Sequence, residues 1–339
     1  MKMLLRTLLF TLLALSSLAG FAYDFEAGGL YYNITSMKKK TVEVTFRSKL
    51  SESNYELELI SVPKHVTYND TTYTVTAIGE FAFMGCAKLD SVALPDSLQK
   101  IGDYAFAWCR NLTHIKLPSS LKSIGVCSFS SCSSLTTFSI PLSVTSIGNA
   151  AFSECSHLTS INIPGNVDFI GDYTFGGCSK LEAVKIPDDV TSIGAEAFSG
   201  CKGLKSVRMP DGLAIIGDFA FSSCASLKQV SLPDNVKYIG NYAYNSCAKL
   251  DSIALPESVI SIGDYAFRNC PKLKTIVSKG TSSPTCWART FRDVDLSNCT
   301  LEVPEGASET YKSAAGWSEF SNIKELTVEE MEGDLDDDL

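Results

Sequence analysis

The side chains in this sequence able to hold a metal, form a disulfide or act as nucleophiles are above all its cysteines. Nine of them stand at 86, 109, 132, 155, 178, 201, 224, 247 and 270, each 23 residues from the next. A metal site needs ligands that converge, and zinc sites usually carry a pair two to four residues apart. No two of the nine form such a pair. Repeats stacked about 5 Å apart would put successive Cα atoms within disulfide reach. Their parallel Cβ vectors would still misplace the sulfurs, and an odd number leaves one over. The series therefore reads as a column of buried thiols that fill space as small apolar residues. Cys127 lies outside the series at an outward position, and Cys286 with Cys299 is a pair that an exported chain would allow.

Three histidines, His65, His114 and His157, share neither a repeat phase nor a neighbourhood in sequence. A Ser-His-Asp or Cys-His arrangement would have to be assembled across repeats, and nothing in the spacing asks for one. The glycines come one per turn and form no phosphate loop. The reading is a non-enzymatic chain with no catalytic residues, no metal and no cofactor.

What remains is recognition by surface. The motif Leu-x-x-Ile-x-Leu recurs, as in Leu89, Val92 and Leu94 or Leu112, Ile115 and Leu117. Alternation in a strand sends the residues flanking the central Ile to the outer, concave face. They are small and polar, with a loose column of Lys116, Asn162, Lys185, Arg208 and Gln229 beside His114, and no Asp or Glu among them. Such a strip suits an acidic protein segment or an anionic glycan. A second outward phase carries aromatics at Phe81, Tyr104, Tyr173, Phe219, Tyr242 and Tyr265, interrupted at Cys127, Ala150 and Glu196.

The elements that position these residues are set by one period. Ile-Gly falls at 78, 101, 124, 147, 170, 193, 216, 239 and 262, always 23 apart. A fixed period of this length with leucine-type spacing indicates a leucine-rich repeat solenoid. The expectation is α/β class, mostly β with short helical or 3-10 turns: a right-handed solenoid of about nine 23-residue repeats plus caps, its strands forming one parallel concave sheet. Proline closes most of the strands, which suits a residue with no N–H to give. The Gly is read as permitting a tight bend or a positive φ. The Asp or Asn that often follows is read as the N-cap of a short helical turn, with Phe and Cys three apart on its inner face.

The ends differ from the array. Lys2 and Arg6, the apolar run from Leu4 to Leu15 and Gly20-Phe-Ala22 read as a signal peptide over 1–22. Residues 23–56 are expected to form an N-terminal β cap and 57–278 the solenoid, with an inserted hairpin at 68–76. Residues 279–324 are expected to form a C-terminal cap of helix and loop, and 325–339 an acidic tail. The chain has 29 bases and 38 acids, a net −9. Without the leader's two bases and the eight acids after Lys324, 27 stand against 30, so the body is close to neutral. No basic stripe points to nucleic acid.

The unit Leu-x-x-Ile-x-Leu-Pro-x-x-Val-x-x-Ile-Gly-x-x-Ala-Phe-x-x-Cys resembles the BspA-like leucine-rich repeats of bacterial surface proteins. Cys299-Thr-Leu-Glu-Val-Pro304, followed by Tyr311 and Trp317, is similar to their closing segment. The resemblance covers 57–324 and implies an extracellular or surface-exposed protein that binds host matrix proteins or other cells. The expected protein is thus exported to the cell surface, the periplasm or the medium. It is an adhesion or protein-binding monomer without a transmembrane segment, with a carbohydrate-binding module or a structural envelope spacer as alternatives.

Overall fold

The computed structural model describes residues 23–47, 55–327 and 329–330. The expected leader at 1–22 and the acidic residues beyond 330 lie outside the described residues. The array is a parallel β-solenoid with one 23-residue rung per repeat.

Each rung contributes two short strands, not one. The first is the Leu-x-x-Ile-x-Leu segment, for example Ser91–Ala93, Ser160–Asn162 or Ser206–Arg208. The second is the dipeptide ending at the Ile of Ile-Gly, such as Lys100–Ile101, Ser192–Ile193 or Tyr238–Ile239. Both stack in parallel on their 23-residue equivalents, Ala183↔Ser206 and Lys185↔Arg208 in one, Ile193↔Ile216 and Ile216↔Ile239 in the other. The expectation of one parallel sheet is therefore corrected to two ladders, each segmented along its length. Two residues are too few to show alternation, so the second strand leaves no signature in the sequence.

The residues between Gly and Cys form no helical turn. Tyr104, Phe106 and Trp108 donate their N–H groups to Val126, Ser128 and Ser130 of the next rung at 2.7–2.8 Å. The intervening Ala105, Ala107 and Cys109 donate back within their own turn. This alternation puts the aromatic phase in the left-handed region at all nine positions, from φ 52° at Cys127 to 59° at Tyr265. The turns are thus a third connection between rungs. The closing segment carries a short α-helix, Ser308–Ser313.

The expected roles of Gly and Asp change accordingly. The nine Ile-Gly glycines have ordinary φ. They are required because the rungs touch there: a Cβ on Gly217 would sit 2.7 Å from the Gly194 carbonyl carbon and 2.8 Å from Ala195 N. The following Asp or Asn caps its neighbour instead of its own turn. Asp103 Oδ1 accepts from Val126 N at 2.8 Å, Asp172 from Ala195 N at 2.8 Å and Asp218 from Asn241 N at 2.7 Å.

The core consists of columns. Ten rings from Phe83 to Phe291, with Tyr244 among them, stack at centroid separations of 5.2–5.7 Å and nearly parallel planes. Offset stacking of this kind adds about 0.5–1.5 kcal/mol per pair beyond burial. Tyr55 closes the column at one end, and Trp317 with Phe320 at the other. The N-terminal strands Phe25–Ala27, Leu30–Ser36 and Thr41–Thr45 extend the second ladder, and Thr41–Thr45 pairs in parallel with Thr71–Ile78. The inserted residues form a hairpin, His65–Tyr68 against Thr71–Ile78. At the far end Thr300–Pro304 and a further strand, Asn322–Leu326, continue the first ladder. That last strand departs from the expected helix and loop, and it takes in Glu325, the first acid of the expected tail.

Two substitutions test this packing. Gly217→Ala is expected to destabilise the chain by about 1–3 kcal/mol, because the methyl meets backbone that cannot move aside. The Tyr244 hydroxyl is buried without a partner, so Tyr244→Phe should stabilise by about 1 kcal/mol, removing an unmet desolvation cost. Denaturant midpoints measure both. A neutral Gly217→Ala or a destabilising Tyr244→Phe would contradict these contacts.

Candidate functional surfaces

The cysteine column is buried and entirely thiol. All twelve cysteines lack a disulfide, Cys286 and Cys299 included. From Cys109 to Cys270 each Sγ in the series donates to the carbonyl oxygen of the ring-bearing residue one rung back, at 3.0–3.3 Å, as Cys109 to Phe83 and Cys270 to Tyr244. The thiols therefore serve as donors as well as fillers, a role that their spacing alone does not reveal. Burial is the main cause that pushes Cys155, Cys201 and Cys270 from the ordinary thiol value of 9.0 up to about 12. Such thiols are poor nucleophiles at neutral pH. Among the described residues no three His, Cys, Asp or Glu side chains gather as a metal site. Among the described residues the histidine rings bond to hydroxyls, His65 with Thr74, His114 with Thr113 and His157 with Ser156.

The strand face is open. His114, Lys116, Asn162, Lys185, Arg208 and Gln229 are all exposed. Register divides them into two columns. Asn162, Lys185 and Arg208 share one with Lys116, whereas Gln229 pairs with Ser252 in the other, where His114 pairs with Ser91. The expected single column of five is corrected to that extent. Lys185 and Arg208 are direct register partners, so two cations stand about 4.8 Å apart along the ladder. Lys185 Nζ also lies 3.8 Å from Asp188 at the proline turn. Carboxylates thus border the face without lying on it in the regular rungs.

Two further surfaces are ones that sequence reasoning misses. The first is the edge where the chain leaves the Cys turn and enters the first strand. From the rung of Cys178 to that of Cys270 it carries Lys180, Lys202, Lys205, Lys228, Lys249, Lys272 and Lys274, all exposed. Only Lys205 is in an ion pair among the described residues, with Glu182 at 3.0 Å. These positions lie in the bend, where strand alternation does not say which way a side chain points. Their signal is the recurring Cys-x-Lys-Leu of 178–181, 247–250 and 270–273. The second is a shallow groove of about 300 Å³ on the second ladder, lined by Ile215, Tyr238, Ser261 and Trp287. Trp287 is 62% exposed there. The aromatic phase on the turns is partly stacked upon itself, Phe219 on Tyr242 at 4.5 Å and Tyr242 on Tyr265 at 4.8 Å.

These ladders and turns place the chain in a family. The model of the BspA type leucine rich repeat region matches residues 64–182 and 168–286, most of the chain, and the chain belongs to that family. Among solved structures it is similar to a leucine-rich repeat protein from Bacteroides ovatus, at 28% identity and TM-score 0.60. That match covers 89% of this chain and 88% of the other. A leucine rich cell surface protein from Faecalibacterium prausnitzii matches at 24% identity and TM-score 0.36, covering 78% and 96%. A pneumococcal vaccine antigen matches at 20% identity and TM-score 0.46, covering 90% and 98%. No curated protein sequence matches this one. No helix among the described residues is long and apolar enough to cross a membrane.

The buried thiols give a pH test. A group whose pKa is raised in the folded state stabilises fully below its unfolded value and loses that contribution as pH rises through the folded value. Stability should therefore stay level near neutrality and fall between about pH 9 and 12, where the thiols ionise in the unfolded chain while Cys155, Cys201 and Cys270 stay protonated in the folded one. Urea midpoints across pH 7 to 10.5 would show the fall. In the native protein at pH 8, a thiol reagent should titrate rapidly no cysteine other than Cys127. Rapid reaction of the whole series would contradict the burial.

Proposed function

We propose that the protein is exported and displayed at the cell surface, where it binds a host or neighbouring-cell protein through the strand face of its first ladder. The observation that carries this reading is the face itself. Twelve parallel strands among the described residues, from Leu59–Ser61 to Asn322–Leu326, present a rigid, solvent-facing strip roughly 50 Å long. Its outward side chains in the regular rungs are hydroxyls, amides, small residues and a few cations. Because the backbone is fixed by neighbouring rungs, a partner meets a surface already in its binding geometry, which lowers the ordering cost of association. Lys116, Lys185 and Arg208 supply the charge that steers an acidic segment onto it.

Export is supported by the leader-like start of the sequence, and the family is one of bacterial surface proteins by resemblance. The reading needs no catalysis. The test is a screen of the purified protein against arrays of matrix proteins. A Lys116→Glu/Lys185→Glu/Arg208→Glu variant of unchanged melting temperature is run beside it. The reading predicts a partner bound by the parent and weakened about tenfold or more in the variant. Equal binding by both would move the site off this face, and binding by neither would remove the adhesion role.

A further inference from the structure

We infer that the lysine edge of the carboxyl-terminal half is a binding site for a sulfated polysaccharide. The site is centred on the bend lysines beside the strand face and does not require that face to bind a protein. Seven ammonium groups lie along five successive rungs, so each step of about 4.8 Å brings one or two positive charges. Two carboxylates share the edge. Glu182 is held by Lys205, and Asp251 accepts a bond from Ser252 at 3.4 Å. On the strand face beside it Arg208 adds positive charge, while Lys185 lies 3.8 Å from Asp188. The acids of the opposite edge, Asp188, Asp211, Asp234 and Glu257, lie across the strand. Six residues separate Lys205 from Asp211, roughly 20 Å of extended chain, beyond the screening length of about 8 Å at physiological salt. A chain of net −9 thus keeps a continuous positive edge.

The chemistry of the edge selects its ligand. All its cations are lysines, compact point charges that meet an isolated sulfate as readily as any other anion, and no arginine fork is present for planar bidentate recognition. No aromatic side chain stands among the edge residues to stack a nucleic-acid base. Exposed apolar side chains lie elsewhere, Phe169, Ile215 and Tyr238 on the second ladder, Leu59 on the first strand of the first ladder and Leu142 beside Pro141. The column next to the lysines offers Ser206, Gln229, Ser252 and Thr275, the donors and acceptors that sugar hydroxyls need. A linear glycan with an anion on every sugar repeats its charge on a step like that of the rungs.

The test uses the full chain and heparin, with desulfated heparin and a single-stranded oligonucleotide as comparison ligands. One variant carries Lys202→Glu, Lys228→Glu, Lys249→Glu and Lys272→Glu. A counter-variant carries the same charge change elsewhere, at Lys38, Lys39, Lys122 and Lys237. Heparin should bind the parent and lose affinity as salt rises. The edge variant should lose at least about tenfold and the counter-variant less than about twofold. If the reversals disturb folding, the same four lysines changed to Gln carry the test, with an expected loss of about fivefold. No binding by the parent, equal losses in the two variants, undiminished binding of desulfated heparin, or equal binding of the oligonucleotide would each overturn the assignment.

Discussion

Neighbouring rungs meet backbone to backbone at eight of the nine Ile-Gly sites, with no room for a single carbon between them, and at Gly171 the Asn149 side chain takes that space. Gly102, Gly125, Gly194 and Gly240 each donate their N–H at 2.8–2.9 Å to the carbonyl of the Ile one rung back. That contact fixes the spacing and the phase of everything else. Once it is made, like residues lie above like. The rings stack, each Cys reaches the carbonyl beside the preceding ring, and each Asp or Asn reaches the N–H that begins the next turn. Polar backbone that would otherwise be buried without a partner is satisfied from the adjacent rung.

The same dependence explains where the columns end. Asp264 follows the last regular Ile-Gly, and after Ser278 the chain no longer keeps the 23-residue step. Trp287 N, one period on, bonds Thr290 Oγ1 instead. Asp264 Oδ1 is left buried with no partner, while Oδ2 pairs with Arg289 at 2.7 Å. The cap does not repeat the pattern and closes the core by other means. Phe291 takes the next place in the ring column, Trp317 and Phe320 pack upon it, and Trp317 Nε1 donates to the Pro284 carbonyl at 2.8 Å.

Much of this is legible in the chain. The 23-residue step implies the solenoid, and the alternation about Val184 and Val207 correctly sends Lys185 and Arg208 outward. What is misread depends on neighbours that a single repeat does not display. Gly-Asp-Tyr-Ala-Phe at 102–106 has the composition of a capped helical turn, and local propensity favours that reading. The bonds from Tyr104 and Phe106 to the next rung override it and hold a tyrosine at φ 56°, a conformation that costs roughly 1–2 kcal/mol alone. The glycine suggests a special φ of its own, when its purpose lies in the rung beside it. The lysine edge escapes notice because bend residues such as Lys202 and Lys249 obey neither the strand nor the helix period.

Amide hydrogen exchange tests the bonding between rungs most directly. If the turns are a third connection, the N–H groups of Tyr104, Phe106 and Trp108 and their equivalents along the array should be as protected as those of the strands. They would open only with whole rungs, and sooner towards the two ends. If those amides exchange quickly while the strand amides stay protected, the turns are not bonded from rung to rung, and the Ile-Gly contact does not set the phase of the turns beyond it.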